Sequence, residues 1–187
     1  MKNTGLFLKA VVVIGILFVV AGVLVTGAGV YINSFVGDQL AAQNITTPAD
    51  ASIPNTPVNS IPTALSMANI IQQHAAKSSN GLSYAQMGRF AVEGGDPAGT
   101  NNSEEALLDA AGKPVANAAR NTQLTAAGLV TSLSLSAMAL GASYGAIALG
   151  LAFIVLGFVV AGLGYALKGL VAPEAAKRFE LTPALNY

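Results

Sequence analysis

Two long apolar runs dominate the chain. The first extends from about Leu6 to Ile32, and no charge falls in the 28 residues between Lys9 and Asp38. The second is longer, with 47 uncharged residues between Arg120 and Lys168. About 20 apolar residues of helix cross a bilayer, so each run can span one. The first also exceeds the ~7–15 apolar residues of a signal peptide. It ends near Tyr31, an aromatic of the interface type. Lys2 and Lys9 would suit a leader, but the length predicts a retained anchor. Within the second run, residues 146–167 read as a spanning helix bracketed by Tyr144 and Tyr165. Residues 124–143 instead interleave hydroxyl and small residues with leucines, and are either a third span or the same helix continued outside the membrane.

Charge favours the second of these. The ends carry Lys2, Lys9, Lys168, Lys177 and Arg178 against Glu174 and Glu180, a net of +3, while the middle carries four basic and seven acidic residues, a net of −3. Basic flanks are retained in the cytoplasm, so both ends belong inside and the number of spans is even. The expected fold is an all-α membrane protein. It has two antiparallel transmembrane helices, a helical extracytoplasmic region, and a long second helix extending outside the membrane. The expected boundaries are a cytoplasmic N-terminus (1–5), the first span (6–32), the extracytoplasmic region (33–121), a stalk (122–145), the second span (146–168) and a cytoplasmic tail (169–187).

Between the runs, residues 46–62 contain four prolines and predict extended chain without regular structure. Helix signals follow. Residues 63–77 form one helix with Gly81 as a left-handed cap. Ser83 and Gln86 make a capping box, with Leu82 and Met87 as its staple, and predict a helix from Tyr84 to about Val92. Ser103 caps a short acidic helix ended by Gly112, and Pro114 suits the first turn of a helix from about Val115 to Val171. No segment from Val36 to Arg120 alternates apolar and polar residues beside turn signals, so no strand is expected.

The glycines are spaced informatively. Gly15, Gly22 and Gly29 lie seven apart, as do Gly150, Gly157 and Gly164, and Ser136 and Ser143 continue the second series. Seven residues are nearly two helical turns, so each series lines one face. Small residues at such a face let helix backbones approach in lipid, which predicts two seams packed on each other. Gly141 and Gly145 add a weaker pair on another face.

Composition sharpens this picture. Hydrophobic residues make up 53% and charged residues 10%, against about 25% charged in soluble domains. The zero net charge offers nothing to nucleic acid, and the lack of cysteine removes disulfide and thiolate chemistry. His74 is the only histidine, and its neighbours Met67, Ile70 and Ile71 suggest a packed or hydrogen-bonded role. Glu104, Glu105 and Asp109 read as a solvated face. The metalloprotease, phosphate-loop and nucleophile-elbow motifs are absent. Beyond Lys9 at the edge of the first, the runs contain no charge that would mark an ion path. No catalytic, metal or cofactor residue is expected.

Three stretches carry a family likeness: DQLAAQNIT (38–46), IIQQHAAKSSNGLSYAQM (70–87) and residues 121–158, which begin NTQLTAAGLVTSLSLSAMALGAS. Together they resemble a family of small two-span membrane proteins of actinobacteria often labelled "aromatic ring-opening dioxygenase". Residues 88–112 and the tail after Pro173 depart from it. Ring opening at a non-haem iron uses two histidines and a carboxylate, and one histidine does not supply that set. Proteins of this size and topology include accessory subunits of respiratory assemblies, an analogy of build alone.

The expected function is therefore non-enzymatic: an accessory or structural subunit of a larger membrane complex, such as an actinobacterial respiratory assembly. The alternative is a self-oligomerising protein whose bundled stalks enclose a hydrophobic passage for lipid or quinone. Both rest on the stalk. Leu124, Leu129, Leu133, Leu135 and Leu140 point in several directions, more apolar surface than a lone helix in water tolerates. Ile70, Ile71 and Met87 can cover one face. The rest calls for a partner complex, another copy or lipid, with contact at Gly128, Leu129, Ser132, Leu133, Ser136 and Leu140.

Overall fold

The computed structural model describes the backbone of residues 2–180 and the side-chain surroundings of residues 5–170. Residue 1 and residues 181–187 of the two expected cytoplasmic ends lie outside the described residues. Three helices carry the fold: α1 (Lys2–Ala42), α2 (Ile61–Ser78) and α3 (Ala118–Glu180). There is no strand among the described residues, only isolated bridges such as Thr46 with Pro57 and Phe90 with Thr100. Two helical stretches, Gly5–Ala42 and Ala118–Leu170, are long and apolar enough to cross a membrane. Residues 122–168, expected as a stalk and a second span, belong to one unbroken helix of 63 residues, which continues past Pro173. One proline removes a single backbone bond and need not end so long a helix.

The chain divides into two compact units, Met1–Asn33 with Ala142–Tyr187, and Ser34–Gly141. In the first, α1 and α3 meet along the two glycine series. A β-carbon on Gly15 would lie 2.5 Å from the Ala161 nitrogen and 2.7 Å from the Gly157 oxygen. One on Gly22 would lie 2.5 Å from the Gly150 oxygen, and one on Gly29 would lie 2.9 Å from the Ser143 oxygen. Gly164 meets Val12. Backbone therefore touches backbone, and only glycine permits it. The buried positions are Leu8, Gly15, Gly22 and Gly29 on α1 and Ser143, Gly150, Gly157 and Gly164 on α3, each series at strict seven-residue intervals. Phe18 meets Phe153 edge to face at 5.6 Å. Asn33 Nδ2 donates to Ser143 Oγ at 3.0 Å, giving the seam a polar clasp. Gly141 and Gly145 have no neighbour within 4 Å of where a β-carbon would stand.

The second unit has an ordinary side-chain core. Leu40 of α1, Val58, Ala64 and Ala68 of α2, and Leu133, Ala137 and Leu140 of α3 form it, with Ile71 and Val130 half-buried around it. Ile71 thus covers α3 as expected. Ile70 and Met87 are buried, but outside that cluster. α2 begins at Ile61, two residues before the expected start, because Ser60 and Thr63 form a capping box and Pro62 suits the first turn. It closes in a Schellman motif, with the Gly81 N–H donating to the Ala76 oxygen at 2.8 Å. Asn80 and Gly81 are both left-handed.

The proline-rich segment has no helix or strand, yet it is a hydrogen-bonded loop. Thr47, fully buried, donates its hydroxyl to the Ile53 carbonyl at 2.5 Å and accepts from the Thr56 N–H at 3.0 Å. Ser66 of α2 accepts from the Ile53 N–H at 2.9 Å, tying the loop to the helix.

Two expected helices do not form. The Ser83–Gln86 box is made, but only the single turn Tyr84–Gln86 follows it. Gly88 is packed against the Thr100 backbone, and Phe90 exchanges two backbone bonds with Thr100. The residues after Met87 are thereby held extended. The expected acidic helix is likewise extended chain and turn: the Leu107 N–H donates to the Ala91 oxygen, and the Leu107 oxygen accepts from the Val115 N–H. Asp109 Oδ1 receives the N–H groups of Ala111 and Lys113 at 2.9 Å, and left-handed Gly112 completes the turn. Pro114 bridges Leu108 instead of opening a helix. α3 starts at Ala118 because Asn117, buried in the structure, caps it. Its Oδ1 accepts from Ala119 and Arg120, and its Nδ2 donates to the Gly88 and Pro97 carbonyls.

Candidate functional site

The six residues expected at a partner contact separate into two sets. Leu133 and Leu140 are 6% and 3% exposed, turned into the unit's own core. They are covered by the chain itself, which corrects their place in the expected contact. Gly128 has open space around it, Leu129 is 48% exposed, Ser132 is exposed and Ser136 half-buried. The serine hydroxyls turn back on their own helix: Ser132 donates to the Gly128 oxygen at 2.9 Å and Ser136 to the Ser132 oxygen at 3.0 Å. That back-bonding hides polarity and leaves the ridge smoother and more apolar than its composition suggests.

Leu129, Ser132, Leu133 and Ser136 border an open groove of about 690 Å³. Its other walls include Phe35, Gln39 and Leu40 from α1, Gln43 just beyond it, and Met67 and Ile71 from α2. No charged side chain lines it. A second depression of about 450 Å³ shares Ile71 and Leu129 with the first, and adds His74, Ser78, Asn121 and Thr125. The two adjoin at those shared residues, and each mixes apolar with hydrogen-bonding side chains.

His74 is hydrogen-bonded, as its surroundings suggested, but its partner is a distant carboxylate. Nε2 lies 2.7 Å from Asp50 Oδ2, and both side chains are about half exposed. The His74 bond is the main cause that holds the Asp50 carboxyl below its ordinary 3.8; burial opposes it, and a backbone bond and the charges of His74 and Lys77 assist. Nothing in the sequence marks Asp50 for this role, because the pair forms only when the proline-rich loop returns to α2.

Glu104, Glu105 and Asp109 are placed on turns, not on one helical face. Glu105 accepts from Thr100 and Asn102. Among the described residues, no three histidine, aspartate or glutamate side chains are grouped to hold a metal ion. The α1 residues that help build the groove lie beyond the expected end of the first span. The signal for them was Val36 and Leu40, four apart and continuing the apolar face past Ile32. Arg120 stacks its guanidinium 3.9 Å from the centre of the Tyr84 ring, a local brace between the cap of α3 and the turn after α2.

Comparison with family models, curated proteins and solved structures gives no match.

Proposed function

We propose that the chain is a non-enzymatic integral membrane protein serving as an accessory or structural subunit of a larger membrane complex. A respiratory assembly is one instance that size and topology suggest by analogy. On this reading α1 and α3 form an antiparallel hairpin across the plasma membrane, both termini are cytoplasmic, and residues 33–145 are extracytoplasmic. Close backbone approach at the glycine seams supports the hairpin, since lipid gives apolar side chains little reason to bury one another. The observation that carries the subunit role is the uncovered face of α3: Leu124, Leu135 and Met138 are 56%, 59% and 69% exposed. Apolar surface of that extent outside the bilayer is a contact surface.

Gentle detergent extraction of the tagged chain, followed by native mass measurement, tests this. Co-migration with a larger set of chains is expected, and replacing Ser132 and Ser136 together by phenylalanine should release the partners while leaving membrane insertion intact. A monodisperse monomer from gently extracted membranes would overturn the role. A pure homo-oligomer would favour the second reading, stalks bundled around a passage for lipid or quinone, which draws on the apolar groove. Topology has its own test. Cysteines placed at Asn59 and Asn101 should react with an impermeant maleimide in intact cells, and one at Asn3 should not.

A further inference from the structure

Past the last contact of the glycine seam stand two lysines with no acid beside them. The seam contacts run from Gly29 with Ser143 to Gly164 with Val12. Lys9 lies three residues beyond Val12 on α1, and Lys168 four residues beyond Gly164 on α3, about 4.5 and 6 Å of helical rise. Among the described residues of the hairpin unit these are the only charged side chains, and both are exposed. We infer that Lys9 and Lys168 together hold the phosphodiester headgroup of one anionic phospholipid. The inference rests on the proposed membrane placement, which puts this end of the hairpin at the cytoplasmic leaflet.

Three observations choose this occupant. The first is uncompensated charge: no aspartate or glutamate lies among the described residues of the unit. The next acid along α3, Glu174, is six positions from Lys168, whereas side chains on a helix pair at three or four. Glu174 has that spacing to Lys177 and Arg178 instead. The second is that the two charges come from different helices that the seam brings to one level. Lys9 follows the buried Leu8, and Lys168 is one turn beyond the buried Gly164. Basic groups placed between spanning helices at the cytoplasmic surface are suited to phospholipid headgroups. The third is the surroundings, which are carbon: Leu6, Phe7, Tyr165 and Leu170 are all exposed. A phospholipid offers a phosphate directly above acyl chains, and the lysine stems lie along apolar surface while their ammonium groups reach the headgroup level. An acidic peptide in water would leave that carbon unmatched.

The test uses the full chain in vesicles of equal parts phosphatidylcholine and phosphatidylglycerol, followed by extraction in mild detergent and native mass measurement. The parent should retain one phosphatidylglycerol per chain and prefer it to phosphatidylcholine. Lys9→Gln and Lys168→Gln should each cut that preference about fivefold, the effect of ~1 kcal/mol for one lysine at an anionic surface. Lys168→Arg keeps the charge and should keep the lipid. Lys177→Gln is the charge control at the same end of the chain and should keep it too. Equal retention of the two lipids, a preference unchanged when Lys9 and Lys168 are both replaced, or an equal loss in Lys177→Gln would overturn the inference. Two retained phosphatidylglycerols, each lost with its own lysine, would also overturn it, because the lysines would then act separately. An inserted chain without the preference sinks this inference alone. A chain that alkaline washing strips from the vesicles would overturn the membrane placement and the inference with it.

Discussion

The two units bury different kinds of residue. In the hairpin unit the buried positions of α3 are Ser143, Gly150, Gly157 and Gly164; in the loop-and-helix unit they are Ala126, Leu133, Ala137 and Leu140. Each set has a seven-residue interval, but the buried face steps by three between 140 and 143 and changes from leucine to glycine and serine. Large side chains of the hairpin, such as Leu24 and Phe158, are instead 69% and 65% exposed. On the proposed placement of the hairpin in a membrane, the contrast is what two solvents demand. In water, burying a leucine stabilises a unit by about 1.5–3 kcal/mol. In hydrocarbon that difference is absent, and helices gain most by bringing their backbones close. One helix thus carries two packing rules, and the change in its buried face is what the proposed placement, one part in lipid and one in water, would require.

The largest expected effect breaks the hairpin's rule. A side chain at Gly22 meets the Gly150 oxygen and the Ile154 nitrogen within 2.8 Å, atoms that cannot move without moving a helix. Gly22→Leu should therefore cost about 3 kcal/mol, the upper end for overpacking, read as lost energy transfer between labels on the two helices in micelles. Gly27→Leu is the matched control, because nothing lies within 4 Å of its would-be β-carbon. Equal energy transfer in the two variants would remove the seam as the basis of the packing.

The second effect breaks the other unit's rule. Leu133→Ala empties a site that is 6% exposed and should destabilise the loop-and-helix unit by about 2 kcal/mol, the lower end for a core leucine, because Leu133 also borders the open groove and the site can relax. Leu135→Ala, at a position 59% exposed, should stay within about 0.5 kcal/mol. Denaturant titration followed by a label on α2 distinguishes them. A reversed order would mean that α3 presents a different face to the core.

The spans, the glycine seams and α2 were legible because each depends on local composition and periodicity. The seam residues were found by spacing alone, since seven-residue intervals place them on one face whatever else the chain does. The helices expected after Ser83 and Ser103 failed for a long-range reason. A capping box specifies where a helix starts and not how far it runs. Gly88 against Thr100 and Leu107 beside Ala91 and Val115 are pairings between residues 8–16 apart that outweigh local propensity. Of the groove, the α3 ridge was visible and the α1 wall was not, because Gln39 and Gln43, which line it beside Val36 and Leu40, make that stretch read as polar chain. Leu133 and Leu140 were misplaced as contact residues since an all-round apolar helix does not reveal which side its own loops will cover.

The smallest effect sharpens the comparison by pH. The Asp50–His74 pair joins the proline-rich loop to α2 at 2.7 Å, and no titratable group stands on the hairpin's seam among the described residues. Asp50 has a folded pKa lowered below its ordinary 3.8, chiefly by the His74 bond. A group depressed in the folded state binds fewer protons there than when unfolded. Its stabilisation is therefore present above the ordinary value and is lost as pH falls through the lower, folded one. Asp50→Asn should accordingly lower the melting midpoint of the loop-and-helix unit slightly at pH 6, and the gap from the parent should narrow progressively as pH falls below 3.8. Both side chains are about half exposed, so added salt should narrow the gap as well. Energy transfer across the glycine seam should not differ between the parent and Asp50→Asn at either pH. A gap that widened on acidification would mean that the protonated carboxyl, not the carboxylate, is the form that holds the loop.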